Sequence, residues 1–169
     1  MKILLLTIGC LLSLNGMSQI EIQTKNASVT FNYVEEKTEG TLNEVEATIK
    51  LNTADLLASK IKGSVKVETI STGNKMRDKH LKSKDYFNVE EYPLMKFESK
   101  VIKKEGSQYK AEGKLTIKDI TNDVVFDVME IDGIMQLSTS IFADDFDVAI
   151  RKSRDKSTVE VTVSVPLNP

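Results

Sequence analysis

The only histidine of the chain, His80, lies in a charged and aromatic segment that runs from residue 76 to residue 97. Asp78, Ser83 and Asp85 are close to it in sequence, so the residue types of a Ser-His-Asp hydrolase are all present there. Their order and spacing match no recognisable catalytic motif, which favours a histidine that is hydrogen-bonded within a folded connector. We therefore predict a protein that is not an enzyme, and keep an enzyme dependent on His80 as an alternative.

Metal and nucleotide sites have little support elsewhere in the chain. Asp144, Asp145 and Asp147 have part of the spacing of a calcium loop, but the glycine and the distal glutamate of that loop are missing. A solvated loop is therefore favoured at these positions. The 8 glycines are scattered at turns and form no phosphate-binding loop. We expect no metal and no cofactor.

Basic residues are concentrated at the start of the same segment. Such a run of charge is most often a solvated face. It can also form a cationic collar that meets an anionic head group. The candidates for head-group contacts are Arg77, Lys79, His80 and Lys82. The formal net charge of −2 predicts no attraction to nucleic acid.

The first 18 residues have the features of a secretory signal peptide. Lys2 precedes an apolar run from residue 3 to residue 14, and Gly16 and Ser18 are small residues placed for cleavage before Gln19. Cys10, the only cysteine, lies inside the apolar run, so the mature domain, residues 19–169, would contain none. Cleavage predicts a periplasmic or secreted protein that is stabilised without disulfides.

The rest of the chain is dominated by alternation of apolar and polar residues, which is typical of half-buried strands. Val159, Val161, Val163 and Val165 form the clearest example. A short helix is predicted over residues 54–61, capped by Asn52 and Thr53, with Leu56, Leu57 and Ile61 facing inward. A third strand is then expected through Val65 and Val67 to about Ser71, and Asp132 and Gly133 predict a tight turn.

About eight such strands, joined mostly by short turns, indicate an all-β protein. Antiparallel strands in this number can close into a barrel that leaves no exposed edge. An eight-stranded barrel is just wide enough to be filled by side chains or to hold one small ligand. A two-sheet sandwich would show the same pattern and stays open at this point.

The central segment resembles the signature of the YceI-like family. The matching residues are Arg77-Asp78, His80-Leu81, Ser83, Asp85-Tyr86-Phe87, Val89-Glu90, Tyr92-Pro93 and Phe97-Glu98-Ser99. Further matches are Gly113-Lys114-Leu115-Thr116-Ile117, Thr121, Asp145-Phe146 and Arg151. The resemblance covers nearly the whole of residues 19–169. It implies an eight-stranded antiparallel lipocalin-like barrel with a short helix and a helical or irregular connector, exported to the periplasm.

The same resemblance implies a carrier that encloses a polyisoprenoid or similar long apolar lipid. One-face alternation selects the candidates for the cavity lining, namely Phe31, Tyr33, Val45, Ile49, Val67, Met95, Phe97, Leu115, Ile117, Phe126, Leu137 and Ile141. The alternative for each is a packed core residue in a barrel without cargo. In that case the protein would be an interaction module of the cell envelope with a protein partner. A homodimer is left open by the sequence.

Overall fold

The alternating apolar residues face the inside of one closed sheet. The computed structural model describes residues 19–52, 55–148 and 153–167. Within them, eight antiparallel strands pair in sequence order and β1 also pairs with β8, which confirms the predicted barrel over the sandwich. The strands are β1 Gln19–Tyr33, β2 Thr38–Asn52, β3 Lys60–Lys66, β4 Leu94–Glu105, β5 Gln108–Ile117, β6 Ile120–Ile131, β7 Ile134–Phe142 and β8 Thr158–Pro166.

Some of the sequence-based predictions concern residues that the structure does not describe. The signal peptide, residues 1–18, lies outside the described ranges, as do Thr53, Ala54 and Arg151. The signal peptide and the match at Arg151 therefore stay predictions.

The connections divide the barrel into two unlike ends. Loops 34–37, 67–93 and 118–119 lie at one end, which we call the helix end, together with residues 143–148, which we call the segment after β7. The opposite end, which we call the turn end, holds residues 55–59 before β3 and the two-residue hairpin loops 106–107 and 132–133. Asp132 and Gly133 both have positive φ, 53° and 77°, so the predicted tight turn is confirmed.

The predicted helix over residues 54–61 is wrong. A short 3-10 turn, Leu56–Ala58, is followed by β3, in which Ile61 pairs with Ile49. Polar side chains satisfy the backbone of this corner: Ser59 Oγ accepts a hydrogen bond from Asn52 N at 2.9 Å, and Asn52 Oδ1 accepts one from Asp55 N at 3.0 Å. Pairing with β2 along Ile61 and Val65 outweighs the helical spacing of the leucines, and Leu57 is 60% exposed.

The third strand ends earlier than its alternation predicts. β3 stops at Lys66, and Val67 begins a 3-10 turn, Val67–Thr69. Val67 N donates to Pro93 O at 3.0 Å, and Thr69 Oγ1 accepts from Asn43 N at 2.9 Å. These contacts turn the chain out of the sheet at the point where the long connector has to begin.

The connector, residues 67–93, contains an α-helix, α1 Lys75–Lys82. Asn74 caps it, because its Oδ1 accepts hydrogen bonds from Met76 N and Arg77 N, both at 3.1 Å. Leu81 is the buried residue of the helix and joins the barrel core. In the described part of the chain, no helix has the length and apolarity needed to cross a bilayer.

Two glycines on the inner wall let phenylalanine rings lie flat against the sheet. A Cβ at Gly40 would lie 2.7 Å from Phe31 Cε1, and one at Gly113 would lie 2.8 Å from both Phe97 Cε2 and Ser99 Cα. Real Cβ atoms do not approach so closely, so both positions require glycine for space. Gly63 differs, because the nearest atom to a Cβ there would be Glu46 O, at 3.7 Å.

We predict different effects on stability for two glycine-to-alanine substitutions on the inner wall. Gly113→Ala should destabilise the fold by ~1–3 kcal/mol, because the methyl group overpacks against Phe97 and the β4 backbone. Gly63→Ala, the matched control, should be neutral or stabilise by ~0.4–1 kcal/mol by restricting the unfolded chain. Urea unfolding of both variants measures the difference, and equal stabilities would contradict the assigned packing.

Candidate functional site

The half of the barrel nearer the helix end encloses a cavity of about 440 Å³. A volume of this size falls in the range that holds small-molecule ligands. All eight strands contribute apolar side chains to its wall. These are Val29, Phe31, Leu42, Val45, Ala47, Ile61, Val65, Met95, Phe97, Leu115, Ile117, Phe126, Leu137, Ile141, Val159, Val161, Val163 and Val165.

The cavity ends part-way down the barrel because the inward-facing residues beyond it pack against one another. Each of these residues is at most 7% exposed, belongs to the main core and does not line the cavity. We call this group the floor, and it consists of Ala27, Ile49, Ile102, Ala111 and Val128. The barrel is thus filled towards its turn end and open inside towards its helix end.

An aromatic pair lies directly above the floor. Phe97 on β4 and Phe126 on β6 are the last lining residues of their strands before the floor. Their ring centroids are 4.8 Å apart with an interplanar angle of 68°, the edge-to-face arrangement that aromatic rings prefer. The two rings therefore form the inner end of the cavity.

The connector and the segment after β7 surround the mouth of the cavity. Leu81 and Phe87 contribute apolar surface from the connector, and Phe146 and Val148 contribute it from the other side. Phe87 is held in place by its backbone, because Phe87 N donates to Leu81 O at 3.0 Å. A ligand that enters here passes between two elements that are not part of the sheet.

Arg77, Thr38, Thr72 and Glu36 bring polar groups to the rim of the cavity. The strands add a few more polar lining residues, namely Lys62, Ser64, Lys96 and Thr139. Arg77 Nε donates to Thr72 Oγ1 at 2.8 Å, and a terminal nitrogen of the same guanidinium donates to Thr72 O at 3.0 Å. These contacts orient the guanidinium at the rim. The mouth therefore carries charged groups, the Arg77 guanidinium and the Glu36 carboxylate, at which a polar head group could be held.

The structure places ten of the twelve candidate lining residues on the cavity wall. Ile49 and Val67 do not line it, although both are buried, at 1% and 2% exposure. Ile49 belongs to the floor, and Val67 lies in the turn after β3, at the helix end of the barrel. Whether the ten touch a ligand stays a prediction.

Several lining residues were missing from the sequence-based set. The largest omission is the inner face of β8, Val159, Val161, Val163 and Val165, whose strict alternation is plain in the sequence. Periodicity could have identified these four. No local signal could have identified Leu81, Phe87, Phe146 and Val148, because they reach the cavity from loops and a helix.

The other candidate head-group residues lie outside the cavity. Lys79 and Lys82 line a shallow groove on the outer side of the connector, and Lys82 Nζ lies 3.1 Å from Glu68 Oε1. His80 is exposed and stacks edge-on against Tyr86, with ring centroids 4.8 Å apart. Of the four candidates, Arg77 alone lines the cavity, and its contact with a head group stays a prediction.

The residue types of a hydrolase are not assembled around His80. Ser83 Oγ donates to the backbone oxygen of His80 at 2.7 Å. The Asp78 carboxylate accepts from Thr72 N at 2.8 Å and from the Thr72 hydroxyl at 2.5 Å. Serine and aspartate thus serve the local structure of the connector, and neither of these contacts is to the imidazole ring.

Two of the three aspartates after β7 form separate ion pairs. Both carboxylate oxygens of Asp145 accept from the Arg154 guanidinium at 2.8 Å, whereas Asp147 lies 3.0 Å from Lys118 Nζ. The bidentate bond from Arg154 lowers the pKa of the Asp145 carboxyl below its ordinary value. Among the described residues, no cluster of three histidine, cysteine or acidic side chains is arranged to hold a metal.

Comparison with known proteins agrees with this geometry. The model of the YceI-like domain matches residues 20–168. This chain belongs to the YceI-like family. A UPF0312 protein of Photorhabdus laumondii is 37% identical over 86 residues, which are 51% of this chain and 45% of that relative. The match thus spans less than half of the length of that curated relative.

Solved structures share the YceI-like fold. Burkholderia cenocepacia BcnA superposes with a TM-score of 0.70 at 23% identity, over 82% of this chain and 92% of that one. A polyisoprenoid binding domain from Saccharophagus degradans gives a TM-score of 0.58 at 11% identity, over 85% and 95% of the two chains. At these identities the likeness establishes the barrel, and the cargo has to be argued from the cavity.

For this YceI-like barrel we predict that Arg154→Gln returns the Asp145 pKa to its ordinary range, because it removes the bidentate bond. NMR titration of the Asp145 carboxyl carbon measures the change. The control is Lys156→Gln, since Lys156 lies 3.6 Å from Glu35. An unchanged Asp145 titration in Arg154→Gln would contradict the assignment.

The same pair predicts a pH-dependent stability. A carboxyl whose pKa is lowered by folding stabilises the protein above its unfolded pKa, and that contribution is lost as the pH falls through the folded pKa. Urea unfolding should therefore show a larger loss of stability in Arg154→Gln at neutral pH than in acid, where only the contact of the guanidinium with the Phe142 ring, 3.8 Å from its centroid, is lost.

Proposed function

We propose that this protein binds the apolar chain of a polyisoprenoid or a similar long lipid inside the barrel and carries it. The observation that supports this most is the 440 Å³ cavity, whose wall is almost entirely apolar. Water in such a cavity would find few hydrogen-bond partners, so an apolar chain is the favoured occupant. The family membership and the polyisoprenoid-binding neighbour support the same class of ligand.

The energy for binding would come from burial of the chain. Each methylene removed from water contributes ~0.8 kcal/mol, so a chain of several carbons can be held with few polar contacts. The enclosing wall also leaves little of the chain exposed. Tight binding therefore needs no specific recognition along the tail.

The polarity of the cavity sets the orientation of the ligand. Its apolar tail would point to Phe97 and Phe126 above the floor, and its head group would lie at the rim beside Arg77. A buried polar head without partners would be costly, so the reverse orientation is disfavoured. Arg77 would then distinguish an anionic head group from a neutral one.

We further propose that the protein acts in the periplasm or outside the cell, after removal of residues 1–18. The supporting features are the basic, apolar and small-residue regions of that segment. A carrier in this compartment would move a lipid through water without chemical change to it. No catalytic step is part of the proposal.

The alternative of an interaction module with a filled barrel is less well supported. It requires inward side chains to occupy the interior, and the half of the barrel near the helix end is not occupied in this way. The groove that contains Lys79 and Lys82 is the surface such a module would use. A homodimer and an envelope protein partner stay predictions.

We predict that Phe97→Glu abolishes lipid retention while the barrel still forms. A carboxylate at the inner end of the cavity would have to be desolvated against the tail, at a cost of several kcal/mol. Thr30→Glu is the control, because Thr30 is exposed on the outer face of β1. The lipid that co-purifies with each variant is extracted and quantified, and circular dichroism checks folding. Wild-type retention in a folded Phe97→Glu variant would contradict the proposal.

The role of Arg77 is tested with two ligands that differ only in the head group. Arg77→Gln should lower the affinity for farnesyl diphosphate by about tenfold or more, which is the value of a charge-assisted hydrogen bond. The affinity for farnesol should stay nearly unchanged. Lys79→Gln, which removes a cation of α1 from outside the cavity, is the control. Calorimetric titration measures the affinities. Equal losses for both ligands in Arg77→Gln would show that Arg77 has only a structural role.

A further inference from the structure

The inner end of the cavity is closed by packed side chains, which gives the cavity a fixed depth. We propose that the floor and the aromatic pair above it set the length of chain that the barrel accepts. This inference rests on the proposed lipid-binding function and adds a specificity for chain length to it.

Five of the eight strands, β1, β2, β4, β5 and β6, contribute residues to the closure. On β1, β2 and β6 the lining residues Val29, Ala47 and Phe126 are each followed, two positions nearer the turn end, by a buried residue of the floor. Ile102 and Ala111 complete the floor from β4 and β5, where they pair with each other. A tail that enters from the mouth therefore meets a wall of tightly packed side chains.

Phe97 and Phe126 make this end of the cavity rigid. Each ring is supported by the other, and Phe97 is also fitted against Gly113, where no Cβ could be accommodated. Protein cores deform little, so a longer tail cannot displace the pair without loss of packing. The depth of the cavity is thus a property of the fold and not of the ligand.

The volume converts into an approximate chain length. A water-sized group takes up roughly 30 Å³, and a methylene is of similar size, so 440 Å³ holds about fifteen such groups. Fifteen carbons are about three isoprene units. A longer chain would leave its extra units outside the mouth and would place its head group beyond the reach of Arg77.

The test is a series of prenyl alcohols of increasing length, namely geraniol, farnesol, geranylgeraniol and geranylfarnesol. Each displaces a fluorescent naphthylamine probe from full-length mature protein, which has no tryptophan to interfere with the signal. Affinity should rise by about tenfold or more from geraniol to farnesol and change by less than about threefold thereafter, because the later units are not buried.

Two variants should change the accepted chain length in opposite directions. Phe126→Ala removes one ring of the pair and should make geranylgeraniol bind at least about tenfold more tightly than farnesol. Gly63→Leu adds a side chain at a lining position where a Cβ would make only an ordinary contact, 3.7 Å from Glu46 O, and should remove the preference of farnesol over geraniol. Thermal unfolding of both variants checks folding, and Gly63→Leu retains the test if Phe126→Ala does not fold.

The outcomes separate the two proposals. The length limit would be overturned if the affinity rose by equal steps up to the longest alcohol. It would also be overturned if both variants kept the wild-type dependence of affinity on chain length. Either result would leave the carrier proposal intact. Failure of the probe and of every alcohol to bind would overturn both.

Discussion

The hydrogen bonds between β1 and β8 are the constraint on which the rest of the structure depends. They pair residues 28–33 with residues 159–164, use the last two free strand edges and fix the circumference of the barrel. An eight-stranded barrel of that circumference has an interior that side chains can just fill. What the protein can bind is therefore decided by how completely its inward-facing residues fill that interior.

Those residues fill it unevenly. The floor closes the barrel towards the turn end, whereas the valines of β8 and the missing side chain at Gly63 leave space towards the helix end. The connector and the segment after β7 then cover the open half without sealing it, and they bring Arg77 to its rim. The sheet thus provides a rigid apolar end and the elements outside it provide a polar mouth, the two features that a carrier of amphipathic lipids needs.

Strand periodicity predicts which residues face inward but not how deep each lies. Phe31 and Ile49 alternate in the same way, yet Phe31 lines the cavity and Ile49 belongs to the floor, because depth follows from the pairing of all eight strands. Local spacing also gave a wrong prediction, the helix over residues 54–61, where pairing within the sheet favours a strand. Leu57 and Ile61 have helical spacing, and the pairing of β3 with β2 decides the outcome there. The role of Arg77 needed the connector to be placed over the mouth, which no local pattern specifies.

The central claim is that the helix-end half of the barrel holds one apolar chain. Native mass spectrometry of the mature protein, purified from its own host without detergent, tests this most directly when the bound molecule is then extracted and identified. We predict one lipid per barrel, with a long hydrocarbon tail. The claim would be contradicted if the measured mass were that of the polypeptide alone, under conditions in which added farnesol stays bound. That result would show that the cavity is empty in the cell.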